Sequence, residues 1–310
     1  MSQTAFLFPG QGSQYVGMGQ DLYEAYPEAR ATFDQADDVL GFALSDLCFN
    51  GPEETLNDTI NTQPAIFVTS IALLRALEGK KLQGPRFVAG HSLGEYSALF
   101  AAGAMDFAAG LQLVRERGRL MKEAGERSPG GMAAVLGLET EVVDQVCRQA
   151  REETGGVIQV ANYNSPGQIV ISGDFQARDV AVELAKAEGA KKVVTLAVSI
   201  AAHSPLMACI ADEFRQAVEA VEFRMPTVPV VANVSAAPLE SVKAIREELV
   251  QQLTSPVRWV ESVQYMIGQG VTEFVEIGPK DVLTKLMRRI DKSVQAMSVG
   301  DVTAVDSKQK

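Results

Sequence analysis

A serine with the surroundings of a nucleophile stands at position 92, in the segment Gly90-His91-Ser92-Leu93-Gly94. This segment lies between a predicted strand and a predicted helix, which is the context that a G-x-S-x-G sequence needs to expose a reactive serine. The Leu93 amide, at the helix N-terminus, could face a developing oxyanion. The alternative is a glycine-bounded turn in which Ser92 only caps the helix.

A serine nucleophile needs a base, and the chain has only two histidines, His91 and His203. His91 is the neighbour of Ser92 in a sharp turn, so we expect its side chain to point away from the serine oxygen and to serve the loop's packing. His203 is therefore the candidate base, at a junction between two predicted lobes where clefts are common. The alternative is a satisfied loop histidine beside the Ser204-Pro205 turn.

One arginine is predicted to face the protein interior. On a helical wheel from Phe107 to Met121 the apolar residues share one arc, and Arg117 falls near its middle, whereas Arg115 and Arg119 fall on the polar side. An arginine on an apolar face needs a partner, and its planar fork fits a carboxylate through two parallel hydrogen bonds. The pattern alone leaves open whether that carboxylate belongs to the protein or to a substrate.

The elements around these residues alternate between strand and helix. Buried strands are predicted at 5–8, 86–89, 228–234 and 271–277. Helices are predicted at 64–77, 96–102, 107–121 and from Ser255-Pro256 to Gly270. This alternation predicts an α/β fold, a large hydrolase-like domain with a mostly parallel sheet.

A different order of elements interrupts that domain after the hinge-like Ser128-Pro129-Gly130-Gly131. The β-α-β-β-α-β order typical of a ferredoxin-like subdomain is predicted from strands at 132–136, 158–162, 169–172 and 192–198 and helices at 140–152 and 175–188. We therefore expect a small subdomain at 128–198 inserted into a catalytic domain formed by 1–127 and 199–310. The last ten residues are polar, and we expect them to be loose.

Composition excludes several classes of protein. With 310 residues, 46% hydrophobic and 22% charged, the chain is typical of a globular protein, and its net charge of -11 disfavours nucleic acid as a partner. Cys48, Cys147 and Cys209 lie far apart, which predicts neither disulfides nor a thiolate zinc site, and no metal site is predicted. No basic leader and no uninterrupted apolar span is present, so we expect a cytoplasmic protein.

A second glycine-rich turn, Gly10-Gln11-Gly12, follows the first predicted strand. Tyr15 stands where a dinucleotide-binding G-x-G-x-x-G sequence needs its third glycine, so that interpretation is weak. A turn that brings backbone amides close to a reacting oxygen fits better.

Several motifs together resemble the malonyl-CoA:acyl carrier protein transacylases of bacterial fatty acid synthesis, over almost the whole chain. The motifs are F-P-G-Q-G-S-Q at 8–14, T-Q-P-A at 62–65, G-H-S-L-G-E-Y-S-A at 90–98, the arginine helix around 117, N-S-P-G-Q at 164–168, H-S-P-L-M at 203–207 and P-V-R-W at 256–259. Similar acyltransferase domains serve polyketide synthases, so the resemblance indicates the chemistry more narrowly than the pathway.

The resemblance implies roles for eight residues. Ser92 matches the nucleophile, His203 the base and Arg117 the clamp for the malonyl carboxylate. The remaining matches are the oxyanion-hole amides of Gln11 and Leu93, the histidine-orienting main-chain carbonyl of Gln252, and the substrate-pocket residues Gln63 and Asn162.

The function implied is transfer of a malonyl group from malonyl-CoA to the phosphopantetheine thiol of acyl carrier protein through a malonyl-serine ester, with ping-pong kinetics. The alternatives are a trans-acting acyltransferase of a polyketide pathway, a serine hydrolase or thioesterase, and a non-catalytic acyl-binding protein. We expect no tightly bound cofactor, since the partner carries the phosphopantetheine, and we expect a monomer. Discrimination between malonyl and methylmalonyl groups stays open.

Two features concern the partner's docking surface. Carrier proteins are typically acidic, so an acidic enzyme needs a local basic patch, for which Lys191 with Lys192 and Lys285 with Arg288 and Arg289 are candidates. Similar sequences usually continue E-x-G-P with Gly-Lys, whereas here Lys280-Asp281 follows.

Overall fold

The computed structural model of the protein describes residues 3–196, 198 and 200–307. The strands are β1 (Thr4–Phe8), β2 (Phe87–Gly90), β3 (Gly130–Leu136), β4 (Ile158–Ser165), β5 (Gln168–Asp174), β6 (Lys192–Thr195), β7 (Val230–Val231), β8 (Glu273–Ile277) and β9 (Gln295–Val299). The helices are α1 (Gln20–Ala25), α2 (Pro27–Leu40), α3 (Leu44–Asn50), α4 (Glu53–Asn57), α5 (Thr59–Ala76), α6 (Gly94–Ala101), α7 (Phe107–Arg127), α8 (Thr140–Thr154), α9 (Phe175–Ala187), a 3₁₀ helix (Pro205–Ile210), α10 (Ala211–Glu219), α11 (Val242–Gln251), α12 (Trp259–Gly268), α13 (Val282–Ile290) and α14 (Val302–Asp306).

The larger sheet is parallel and has the strand order β7-β2-β1-β8-β9. β1 is buried at every position because helices cover both faces of the sheet. In a parallel sheet the carboxyl ends of neighbouring strands lie at one edge, where ligands bind. The loops that follow β1, β2, β7 and β8 therefore gather at one place.

The smaller sheet is antiparallel and has the order β4-β5-β3-β6. Helices α8 and α9 pack on one face with a hydrophobic core of their own. The opposite face carries Met132, Ala161 and Val170, which contact residues of the connecting segment such as Ala202. The predicted α/β fold with a ferredoxin-like insert is thus confirmed. The boundaries of 1–127, 128–198 and 199–310 stay a prediction, and Ser199 lies outside the described residues.

Helix α5 begins earlier than predicted. The sequence suggested a start at Pro64, but the helix runs from Thr59, where Asp58 caps it, and Pro64 lies in its interior. A proline there cannot donate to the carbonyl of Ile60. Arg115 of α7 supplies a donor instead, since its Nη1 lies 3.3 Å from the Ile60 oxygen. A tertiary contact therefore offsets a local cost that sequence rules treat as prohibitive.

The helix predicted to begin at Ser255-Pro256 begins at Trp259. The residues before it stay extended because Val257 bonds to the edge of the small sheet. Its N–H donates to the Ala161 oxygen at 2.8 Å, and its oxygen accepts from the Tyr163 N–H at 3.0 Å. This pairing joins the small sheet to the large domain beside the predicted site.

Three other boundaries differ from the predictions. β7 is only two residues long: it pairs with β2 on one side, and Val231 forms an isolated bridge to Pro238 on the other. β6 ends at Thr195 rather than 198, and Ala197 lies outside the described residues. The predicted loose end contains α14, which buries Val305, whereas residues 308–310 are outside the described part. Among the described helices, none is long and apolar enough to cross a membrane.

Candidate active site

The turn between β2 and α6 presents Ser92 in a left-handed conformation, with φ of +52°. Glycines on both sides make this turn possible, because a Cβ on Gly90 would lie 1.9 Å from the Gly94 carbonyl carbon, and a Cβ on Gly94 would lie 2.0 Å from the Phe8 oxygen. No side chain larger than hydrogen fits at those distances. The turn therefore presents Ser92 at the N-terminal end of α6, next to the carboxyl end of β1.

The backbone of Ser92 is held by two side chains from distant loops. Its N–H donates to Asn233 Oδ1 at 2.7 Å, and its carbonyl oxygen accepts from Gln252 Nε2 at 3.1 Å. Asn233 also donates from Nδ2 to the Gly90 oxygen at 2.7 Å. These bonds offset the strain of a left-handed residue that is not glycine. Asn233 was not among the predicted site residues, because it falls inside the strand predicted at 228–234.

His203 lies within reach of the serine. Its Nε2 is 2.8 Å from Ser92 Oγ, and its Nδ1 is 2.7 Å from the main-chain oxygen of Gln252. A carbonyl oxygen only accepts, so the network assigns the proton to Nδ1 and leaves Nε2 free to accept from the serine hydroxyl. The loop is fixed by Gln159, whose Nε2 donates to the oxygens of His203 and Thr254 at 2.7 and 2.9 Å.

Burial lowers the pKa of His203 to about 3, and the neighbouring positive charge of Arg117 is the second cause. A histidine at ordinary pH in this place is therefore neutral, which is the form that can accept a proton. His91 is placed differently. Its Nε2 lies 2.7 Å from Asn164 Oδ1, and its ring meets Trp259 edge to face at 5.5 Å.

Arg117 reaches the same place from α7 and is 2% exposed. Its Nη1 donates to Gln63 Oε1 at 2.8 Å, and its Nη2 donates to Gln252 Oε1 at 2.9 Å and to Ser92 Oγ at 3.2 Å. Within the described residues it forms no ion pair, and its buried Nε has no hydrogen-bond partner. A cation that is surrounded by neutral oxygens and still has an unused donor is suited to bind an anion.

Two backbone amides belong to turns that meet beside Ser92. The turn after β1 touches the serine turn, since a Cβ on Gly10 would lie 2.4 Å from the His91 oxygen. The amides of Gln11 and Leu93 belong to these two turns, and across the described part of the chain neither donates to an acceptor. Unused, oriented N–H groups next to a serine oxygen can stabilise an oxyanion. The Gln11 side chain is held by Thr59, whose Oγ1 donates to Gln11 Oε1 at 2.9 Å.

A cavity of about 490 Å³ opens between the two sheets in front of Ser92. Its lining includes Gln11, Ser92, Arg117, His203, Met132, Asn162, Val170, Leu196, Val282 and Leu286. The structure thus places Asn162 in the cavity wall, whereas Gln63 and Gln252 lie outside the lining and contact Arg117 from behind. A serine hydroxyl, a neutral imidazole and a guanidinium converge at one end of a largely apolar cleft, an arrangement that is chemically suited to acyl transfer.

Comparison with known proteins gives the same chemistry. The acyl transferase domain family matches residues 5–307. The malonyl CoA-acyl carrier protein transacylase of Bacillus subtilis is 46% identical over 306 residues, covering 99% of this chain and 96% of the relative. The enzyme of the same name from Escherichia coli K12 is 44% identical and covers 98% of both chains.

Solved structures agree with these relatives over the full length. A malonyl-transacylase in complex with its type II PKS acyl-carrier protein has a TM-score of 0.96 and 44% identity and covers 99% of both chains. An acyl carrier protein S-malonyltransferase from Vibrio cholerae has a TM-score of 0.94 and 43% identity, again over 99% of both chains. This chain therefore belongs to the acyl transferase domain family and, within it, to the malonyl CoA-acyl carrier protein transacylases.

Proposed function

We propose that the protein transfers a malonyl group from malonyl-CoA to the phosphopantetheine thiol of an acyl carrier protein. The observation that supports this most strongly is the position of Arg117, a buried guanidinium without an ion pair among the described residues, 3.2 Å from Ser92 Oγ. A hydrolase of neutral esters has no use for a buried cation beside its nucleophile, because an unpaired buried charge is costly.

In the first half-reaction the Ser92 oxygen attacks the thioester carbonyl carbon while its proton moves to His203 Nε2. The carbonyl oxygen becomes an oxyanion that accepts from the amides of Gln11 and Leu93. The carbon–sulfur bond then breaks, and the proton on His203 leaves with the coenzyme A thiol. A malonyl ester on Ser92 remains.

The Gln252 carbonyl replaces the carboxylate of a catalytic triad in this scheme. It accepts from His203 Nδ1 at 2.7 Å and so fixes the tautomer and the ring orientation. A neutral acceptor stabilises the imidazolium less than a carboxylate does. Return of the proton from His203 to the leaving thiol is therefore favoured, which suits a serine that is first acylated by one thioester and then deacylated by another thiol.

Arg117 selects the acyl group. The carboxylate of a malonyl ester can accept from Arg117 Nη2, which faces Ser92, if the weaker bond to Ser92 Oγ is given up. A charge-assisted hydrogen bond contributes about 1.5–3 kcal/mol, so the clamp is expected to favour malonyl over acetyl by roughly tenfold to more than a hundredfold.

In the second half-reaction the carrier's thiol loses its proton to His203 and attacks the ester carbonyl carbon. The carbon–oxygen bond to Ser92 then breaks, His203 returns the proton to the Ser92 oxygen, and the malonyl thioester is released. The partner supplies the phosphopantetheine, so we propose no tightly bound cofactor, and we place the reaction in the cytoplasm with a monomeric enzyme. Exposed Lys285 and Arg289 lie on α13, which also lines the cavity through Leu286, so this helix is the better of the two candidate docking patches.

A second carrier is supported by the structural similarity to a transacylase bound to a type II PKS acyl-carrier protein. A polyketide carrier would present the same phosphopantetheine thiol to the same cavity. The chemistry would then be unchanged, and only the pathway would differ.

The test measures the intact mass of the protein after brief mixing with malonyl-CoA. We expect a malonyl adduct on the parent and none on Ser92→Ala. Addition of a holo carrier protein should move the adduct to the carrier's thiol, and the fatty acid and polyketide carriers compared side by side distinguish the two pathways. Release of the adduct to water at the same rate with and without a carrier would instead identify a thioesterase.

A further inference from the structure

We propose that Glu95 is a positioning residue for this reaction, a buried carboxylate that fixes Ser92, His203 and Arg117 through Gln252 and Asn233. The inference rests on the proposed malonyl transfer. It concerns a side chain that touches none of the reacting atoms.

Glu95 lies one helical turn after the nucleophile, on α6, and is 0% exposed. Its two oxygens face two different loops. Oε1 accepts from the backbone N–H of Asn233 at 3.1 Å, and Oε2 accepts from Gln252 Nε2 in a short hydrogen bond. These are the two residues whose side chains hold the N–H and the carbonyl of Ser92.

Gln252 makes four contacts that matter to the site. Its Nε2 donates to Glu95 and to Ser92 O, its Oε1 accepts from Arg117, and its main-chain oxygen accepts from His203. A guanidinium only donates and a carboxylate only accepts, so these two groups together allow one orientation of the amide. If Glu95 could not accept, the amide would lose the partner that keeps its NH₂ group directed toward Ser92 O.

Glu95 also lies near Arg117 without occupying the clamp. Glu95 and Arg117 attract each other across the Gln252 amide, and no direct ion pair joins them. A direct ion pair would compete with the substrate carboxylate for the guanidinium donors. With the Gln252 amide between the two groups, Arg117 is held in place while its Nη2 still faces Ser92 Oγ.

Glu248 offers a matched comparison. It is also a buried carboxylate, 5% exposed, and its Oε1 accepts from the Val234 N–H at 2.7 Å in the same loop that Glu95 holds. Its side chain forms no hydrogen bond with Gln252 in the described structure. Burial raises the pKa of both groups, and the charge of Glu248 is the second cause for Glu95, so removing that charge by Glu248→Gln leaves Glu95 at least as able to accept hydrogen bonds.

The experiment compares Glu95→Gln with Glu248→Gln in the full-length protein. The amide introduced by Glu95→Gln would present an NH₂ group to a loop that also donates, so we expect acylation of Ser92 by malonyl-CoA to slow by about tenfold to a hundredfold. The preference for malonyl-CoA over acetyl-CoA should fall as well, because the orientation of Arg117 is no longer fixed. Glu248→Gln should acylate within about threefold of the parent and keep its preference, even if its melting temperature falls as much.

Two results would overturn the proposal: Glu95→Gln with the parent's rate and preference, or equal losses in both variants. If Glu95→Gln does not fold, Gln252→Met replaces it, since this variant removes the linking amide and keeps the main-chain carbonyl that contacts His203. The same losses are expected, and parental kinetics would refute the link. A parent that forms no malonyl adduct would refute the proposed function instead, so the two failures are distinguishable.

Discussion

Labelling of Ser92 by a fluorophosphonate is expected to proceed at nearly constant rate from about pH 8 down to about pH 5. The reason is the pKa of His203, which burial, and secondly the charge of Arg117, lower to about 3. At pH 5 about 99% of such a histidine is neutral, whereas about 3% of a histidine with the ordinary pKa near 6.5 would be. The structure therefore predicts that the fraction of His203 able to accept a proton at pH 5 is about thirtyfold above that of an unperturbed histidine.

In the assay, labelling is quenched at set times and the labelled fraction is measured by intact mass. A fluorophosphonate is used instead of malonyl-CoA because it has no carboxylate whose own titration would distort the pH profile. A midpoint near 6.5 would refute the placement of His203 in a dry site beside a cation. Arg117→Met removes the second cause and keeps the first. The pH at which labelling falls should therefore be higher in Arg117→Met than in the parent, but lower than the pKa of a solvent-exposed histidine.

The lowered pKa also has an equilibrium signature with a defined sign. Unfolding exposes a histidine that binds a proton below about pH 6.5, whereas folded His203 stays neutral until about pH 3. The unfolded state thus binds more protons in this window, and the contribution to stability is lost as pH falls. Between pH 6.5 and 4 the free energy of unfolding should fall by about 3 kcal/mol more in the parent than in His203→Gln, as measured by urea denaturation.

Three further changes give separate tests. In competition between malonyl-CoA and acetyl-CoA, Arg117→Met should lose at least tenfold of the malonyl preference, while Arg119→Met on the exposed side of the same helix keeps it; equal behaviour would refute the clamp. Gly94→Ala should lower the melting temperature and abolish labelling, since its Cβ would lie 2.0 Å from the backbone of β1, whereas Gly268→Ala, with nothing within 4 Å in a helix, should keep labelling and not lower the melting temperature. Lys280 has φ of +63°, so Lys280→Gly should stabilise the fold by about 1 kcal/mol in chemical denaturation, and Lys280→Ala, which keeps the strain, should not.

The reactive groups were accessible to sequence reasoning because each has a local signature. Ser92 lies between two glycines after a strand run, and Arg117 interrupts an otherwise apolar helical face. His203 was reached by elimination, which only a chain with two histidines permits. These signatures reflect turn geometry and burial, which depend on neighbours in the sequence.

The groups that hold the reactive residues lack such a signature. Asn233, Gln252 and Glu95 are polar residues in three separate segments, and nothing in their spacing indicates that they are buried together. Gln252 and Asn162 entered only through family resemblance. A buried polar residue is stable because of partners that tertiary folding supplies, so its neighbours in sequence do not predict it.

Element boundaries failed for the same physical reason. Pro64 predicted a helix start because a proline costs least in the first turn, yet α5 continues upstream and Arg115 bonds to the carbonyl that proline leaves free. Ser255-Pro256 likewise predicted a start, but Val257 pairs with β4 and delays the helix to Trp259. In both places contacts between distant elements override a local preference.

The two errors lie close to the site, and this proximity has a physical explanation. A proline accommodated inside α5 lets the helix run on to place Gln63 against Arg117, and the extended segment before α12 follows directly on the turn that carries Gln252. Both departures from local rules are needed for groups that hold the clamp and the base. Catalysis requires those groups at fixed distances, and local propensity alone would place them elsewhere, so the strain is retained where the chemistry takes place.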